Sequence, residues 1–205
     1  TRATPYTVSA HMLYENTDPF ILHEPGGHLD VTAARYVALD AKRVRVEGAA
    51  WVPGPYTVKL EGARITGYQA VSLTLLRDRR YVENAADWAA DITRRSQEKT
   101  QSRTGLGPTD YAIELRLIGL NATLGALESQ AGRPAEIGVL AIATAPTEAL
   151  ASEISKILNP YLLHHALTDD EPMPTFAFPF SPAEMPRGAL YEFALNHVMA
   201  LDDPM

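Results

Sequence analysis

A chain of 205 residues is long enough to bury a sizeable core and fits one large domain or two small ones. Its 18 basic residues are outnumbered by 25 acidic ones, for a formal charge of -7, and the densest basic stretches, "RDRR" (77–80) and "RR" (94–95), are short and mixed with acids, so no nucleic-acid partner is expected. There is no cysteine, which excludes disulfides, thiolate catalysis and cysteine-bound metal; no apolar run approaches the ~20 residues that span a bilayer, and the expected setting is the cytoplasm without a membrane anchor.

In chain order, Val8, Met12 and Leu13 fall at helical spacing within "YTVSAHMLYEN" (6–16), a helix that "NTDP" (16–19) should stop. A polar, glycine-rich connector, "HEPGGHLD" (23–30), follows, and then "ARYVALD" and "RVRVEGA" flank "DAK" as the strands of a hairpin. The proline-rich "WVPGP" (51–55) breaks to a strand, "GPYTVKLEGA" (54–63), where Tyr56, Val58 and Leu60 alternate with Thr57, Lys59 and Glu61. A "GARITG" turn (62–67) should separate it from a longer strand over 67–78.

An amphipathic helix is expected over 79–99, carrying Val82, Trp88, Ala89 and Ile92, and it fades into a polar stretch at 100–110 that offers the best domain boundary. Beyond it come a strand (111–119), a short helix (121–129), a strand (136–145) and a helix opened by Pro146. That helix bears Leu150, Ile154, Ile157, Leu158 and Leu162 on one stripe, and Asn159-Pro160 should kink it or close it. A strand over 189–201 ends the chain, and the class expected is α+β (mixed α/β).

Several side chains bear on chemistry. Lys59 and Glu61 share one face of their strand beside Gly62, which allows a ligand close approach; they form either a surface ion pair or a polar site in which Lys59 donates to a carbonyl or carboxylate and Glu61 orients it or acts as base. His11 and Glu15 stand four apart on one helical face, and with His23, Glu24, His28 and Asp30 they crowd into twenty residues. Imidazole and carboxylate suit a metal ion, but the spacing matches no dedicated zinc motif, and no metal is assigned. Adjacent His164 and His165 are expected to pack. Phe176, Phe178 and Phe180 alternate in "FAFPFSP" as core contacts or as the wall of an acyl groove. "GLG" (105–107) lacks the rest of any nucleotide fingerprint, so the cofactor is left unknown. Thr1 as first residue admits two readings, an N-terminal nucleophile or the start of a fragment.

Taken together, "SAHMLYENTDPF" (9–20), "GGHLDVTAARY" (26–36), "YTVKLEGARITGYQAVSL" (56–73), "PYLLHHAL" (160–167) and "FAFPFSPAEMPRGALYEFALNHVMALDDP" (176–204) closely resemble the acyclic terpene utilisation AtuA family. The resemblance implies a longer protein with a large α/β portion before Thr1. Residues 1–99 would then complete the main domain, 100–110 link it, and 111–205 form a small ferredoxin-like domain. The order of elements expected after 110, β-α-β-α-β-β, departs from the usual β-α-β-β-α-β.

The resemblance also implies the breakdown of branched or terpenoid acids through acyl-CoA thioesters, by hydration, lyase or hydrolytic chemistry. The alternative is a non-catalytic module that assembles a larger complex. On the enzymatic reading Lys59, Glu61, His11 and Glu15 are the catalytic candidates, and His28, Asp30 and Gly62 bind a small-molecule substrate. The expected partners are the absent N-terminal portion or subunit and further copies of the chain.

Overall fold

The computed structural model of the chain describes residues 2–13, 16, 18–130 and 132–202, and of Asn196 the backbone alone. The expectations placed on Thr1 and Glu15 therefore lie outside the described residues. Two compact units divide the chain: one runs up to Ala63 and resumes at Phe193, and the other is Arg64–Glu192.

The first unit opens with α1 (Pro5–Ser9), whose N-terminus is closed reciprocally: Thr7 N–H donates to Thr4 Oγ1 at 3.1 Å and Thr4 N–H donates to Thr7 Oγ1 at 2.9 Å. The helix is much shorter than its apolar spacing suggests. No α1 residue is buried to anchor it, and Leu13 sits at φ 49, a conformation no helix continues through. The stretch expected as a connector is instead a hairpin, β1 (Ile21–Glu24) and β2 (Gly27–Asp30), turning at Pro25-Gly26 with Gly26 at φ 81. β3 (Arg35–Ala38) and β4 (Val44–Glu47) form the expected second hairpin. "WVPGP" is not a break throughout, because Ala50–Pro53 forms β5 on the free edge of β2, with Leu29 opposite Trp51.

No turn interrupts residues 62–67. β6 is one strand from Thr57 to Leu76 and contributes its first part to the first unit and the remainder to the second. Gly67 serves close approach rather than a turn, since a Cβ there would stand 3.1 Å from the Ala145 carbonyl oxygen of the neighbouring strand.

In the second unit a short helix, α2 (Arg79–Glu83), capped by Asp78, leads into α3 (Ala85–Thr104). Residues 100–104 thus complete a helix, and 105–110 are the loop to β7 (Ala112–Ile118). The short helix expected at 121–129 is reduced to a 3₁₀ turn at Gly125–Leu127. β8 (Ile137–Ala145) and α4 (Glu148–His164) appear where the sequence places them, although the cap is Thr147, which accepts from Leu150 N–H at 3.3 Å, and Pro146 precedes it. α4 runs on through Pro160. The carbonyl of Lys156 loses its partner there, but Lys156 and Pro160 are both exposed, so water replaces it. β9 (Phe176–Ala177) pairs with the end of β6, and β10 (Met185–Ala200) begins before the expected 189.

The sheet order is β10-β6-β8-β7. β6 and β7 both lie antiparallel to β8, and within this unit β10 runs antiparallel to β6, since Arg64 reaches Glu192 while Thr66 reaches Leu190. Leaving aside α2 and β9, the unit reads β6-α3-β7-β8-α4-β10, or β-α-β-β-α-β. The first strand and first helix of that pattern precede residue 110, so an order counted from 111 could not include them.

One side of the sheet buries Ala70 and Leu76 from β6 with Ile137, Val139, Ala141 and Ala143 from β8 against Trp88 and Ile92 of α3 and Ile154 and Leu158 of α4. α3 and the end of α4 are also tied by charge at Asp91. Arg95 Nε lies 2.8 Å from its Oδ2, Arg94 reaches Oδ1, and His165 Nε2 stands 2.8 Å from Oδ2. Donation from Arg95, then Arg94, holds the Asp91 carboxyl down to about 2, against the opposing effect of its partial burial. A carboxyl depressed in the folded state stabilises fully above its ordinary value of 3.8 and loses that contribution as pH falls towards about 2. Asp91→Asn is therefore expected to flatten the acid limb of melting temperature against pH between about 4 and 2. An unchanged acid limb would assign the acid sensitivity to other carboxylates.

Candidate functional site

Two clefts concentrate chemistry, one in each unit. That of the second unit encloses about 840 Å³ between α2, the start of α3 and the segment 132–135. Its construction begins with "RDRR". Asp78 is spent on capping α2, and Arg80 turns away to pair with Glu171. Arg77 and Arg79 are left on the cleft wall. Arg77 braces the opposite side, donating from Nη1 to the Ala135 carbonyl at 2.6 Å, and Arg79 Nε pairs with Glu83 at 3.0 Å.

The third cation, Arg133, is exposed, and among the described residues no side chain pairs with it. Beneath these groups the lining is apolar: Val82 and Ala85 are buried, with Leu120 and Pro134 partly buried beside them. Chemically this is a cationic rim over an apolar floor. A planar guanidinium with free N–H donors suits a carboxylate or phosphate, and the floor suits a hydrocarbon chain. Sequence reasoning missed the cleft because its cations come from segments some fifty residues apart, and "RDRR" by itself bears only on nucleic-acid binding.

The cleft of the first unit, about 600 Å³, is lined by Arg2, Ala3, Thr7, His11 and Lys42. Of the residues singled out from the sequence, it contains His11 alone.

The others lie elsewhere in the same unit. Lys59 Nζ pairs with Glu61 Oε1 at 3.0 Å; the Lys59 side chain is 29% exposed and that of Glu61 is 51% exposed. The hydrogen bond to Glu61, aided by the field of Glu61 and of Glu24, raises the Lys59 pKa, so the ammonium form is held. The strand thus places the pair on one face as its alternation requires, and adds Glu24 from β1. His28 lies opposite His23 in the β1–β2 register, with ring centroids 5.6 Å apart. Asp30 caps the following turn by accepting from Thr32 N–H at 2.8 Å, and bonding to Thr32 lowers its pKa. Gly62 stands against Leu195, whose Cβ would lie 3.4 Å from an added methyl. Among the described residues no three His, Asp or Glu side chains gather to hold a metal ion.

The remaining candidates are mostly absorbed by packing, but Phe180 is exposed and joins no core cluster. Phe176 and Phe178 meet edge to face at 6.3 Å, with Phe178 against the core. His165 reaches Asp91, and His164 Nδ1 lies 3.1 Å from Met173 Sδ. No helix among the described residues is long and apolar enough to cross a membrane.

Comparison of the chain with curated proteins and with solved structures gave no significant match. A protein family does match: the description "Acyclic terpene utilisation family protein AtuA" aligns with residues 2–175, without a break at 100–110 and across parts of both units. That span takes in four of the five stretches on which the resemblance rests, from "SAHMLYENTDPF" to "PYLLHHAL", and the chain belongs to the acyclic terpene utilisation AtuA family.

Proposed function

We propose that this chain, as a member of a family involved in acyclic terpene utilisation, forms part of an enzyme acting on branched acyl-CoA-type substrates by hydration, lyase or hydrolytic chemistry. The observation that carries this reading is the uncompensated Arg133 guanidinium set over the apolar floor of Val82, Ala85, Leu120 and Pro134. A methyl-branched chain gains by leaving water for such a floor, while its carboxylate or the phosphates of its thioester carrier pair with the rim. The volume falls inside the range of about 300–1,000 Å³ usual for small-molecule sites. The Arg64–Glu192 unit is proposed as the family's ferredoxin-like domain, supported by its β-α-β-β-α-β order and its strand order.

The test is titration of the chain with the CoA thioester of a methyl-branched enoic acid, with free CoA and with the free acid. Arg133→Gln should weaken the bound species by about ten- to a hundredfold, the worth of one hydrogen bond to a charged group, and leave the melting temperature in place. Failure of the unsubstituted chain to bind any of the three would remove the reading.

A separate proposal concerns the first unit. Lys59, held as ammonium, is proposed to donate to a thioester carbonyl or carboxylate with Glu61 orienting it. His11 and Glu15 stand as further acid–base candidates, with His28, Asp30 and Gly62 on the binding side. In the intact assembly Lys59→Met and Glu61→Gln should each lower turnover about a hundredfold or more at unchanged melting temperature. Turnover equal to that of the unsubstituted protein would leave the pair as a surface contact.

A further inference from the structure

The cleft of the first unit gathers cations in a chain whose 25 acidic residues outnumber its 18 basic ones. Among its described lining residues there is no carboxylate and no aromatic ring. Two segments build it. Arg2 and His11 flank α1, which carries no charge of its own, and Lys42 comes from the turn between β3 and β4. The segments are joined where Ala3 N–H donates to the Ala41 carbonyl at 3.1 Å, so Arg2 and Lys42 each stand one residue from a fixed point.

The acid of that turn, Asp40, is already spent. Its Oδ1 accepts from Lys42 N–H at 2.8 Å and its Oδ2 pairs with Arg43 Nε at 2.6 Å, bonds that hold its carboxyl below the ordinary range. With Asp40 matched to Arg43, the charge left on the turn is the Lys42 ammonium. Among the described residues neither it nor the Arg2 guanidinium has a carboxylate partner. The Thr7 hydroxyl is engaged with Thr4, so the donors free to meet a ligand are those of Arg2, Lys42 and the His11 ring.

We propose that this cleft is a binding site for a compact polyanion of the pyrophosphate class. A concave surface lined by one sign of charge concentrates the opposite sign, and a guanidinium fork beside an ammonium suits phosphoryl oxygens. The lining also says what the ligand lacks. With no ring to stack a base and no large apolar side chain beneath, affinity here comes from charge, unlike in the arginine-rimmed cleft with its apolar floor. Two cations and one imidazole would neutralise too few phosphates to hold a nucleic acid. The inference does not rest on the thioester reading, which concerns the other unit.

The experiment is calorimetric titration of the full chain with pyrophosphate at low ionic strength, beside Lys42→Gln, Arg2→Gln and Lys42→Arg. Lys156→Gln serves as an equal loss of charge at an exposed position of α4. The unsubstituted chain should bind saturably, with a Kd that rises as salt is added. Lys42→Gln and Arg2→Gln should each raise that Kd about tenfold or more, at unchanged melting temperature because both side chains are exposed. Lys42→Arg and Lys156→Gln should bind nearly as the unsubstituted chain does. Absence of saturable binding overturns the proposal. So does binding indifferent to Lys42→Gln and Arg2→Gln, which would place the anion elsewhere on the chain. A chain that ignores pyrophosphate yet binds RNA or phosphatidylserine vesicles through Lys42 overturns it too, and makes this face a macromolecular contact.

Discussion

Replacement of Ile154 by aspartate is expected to lower the midpoint of thermal unfolding by roughly 8–16 °C, corresponding to about 4 kcal/mol for a chain of this size. Ile154 is completely buried, on the face of α4 that packs on β8 and α3, where Val139 and Ala141 are equally inaccessible. Among the described residues no Lys, Arg or His is buried in the core to pair with a carboxylate there, so the side chain would be buried either charged and alone or protonated at a cost. The same substitution at the exposed Lys156, two residues on, should stay within about 0.5 kcal/mol. Equal melting of the two variants, followed by circular dichroism, would show that the buried stripe of α4 is wrongly assigned.

Trp88→Ala should cost about 3–5 kcal/mol. Trp88 is 1% exposed, meets Tyr81 edge to face at 6.3 Å, and donates its indole N–H to the His165 carbonyl at 2.8 Å, which fastens the end of α4 to α3. Truncation would open a cavity and leave that carbonyl unpaired. Trp88→Phe keeps an aromatic ring in the core and removes the donor, so its cost should be the smaller, about 1–3 kcal/mol. Denaturant unfolding of both variants checks the ranking, and a phenylalanine as damaging as alanine would shift the weight from packing to the hydrogen bond.

Both substitutions fall in the part of the molecule that is most legible as sequence. β8 and α4 bury one regular face each, and the short apolar run "IGVLAIATA" and the helical stripe after it mark them without outside help. β6 was harder because glycine carries two meanings. Gly62 and Gly67 punctuate "GARITG" like a turn, whereas one lies against Leu195 and the other lets the β8 backbone approach; only the neighbours distinguish these uses. The connector at 23–30 hid a hairpin for a different reason: its polar residues and glycines read as a link throughout, and four-residue strands are too short to show a period.

The candidate sites divide along the same line. Lys59 and Glu61 sit two apart on a strand, so their pairing could be read directly. The arginine-rimmed cleft could not be, because it forms only when the chain brings "RP" at 133–134 back to "RDRR". The same folding-back hid the β-α-β-β-α-β order, whose opening strand lay on the far side of the most obvious polar stretch.

The place of β10 in the sheet has a consequence for how the chain is made. β6 is an interior strand, yet its two long neighbours begin at Ile137 and Met185, and the Arg64–Glu192 contact closes a separation of 128 residues. Synthesis at about 5–20 residues per second leaves one edge of β6 unpaired for roughly 5–25 s after that strand emerges. During that interval the apolar rows of β6 offer a template for pairing with another nascent chain. Folding of this unit is accordingly slow by topology, and yield in a cell depends on what shields β6 until Met185–Glu192 arrives.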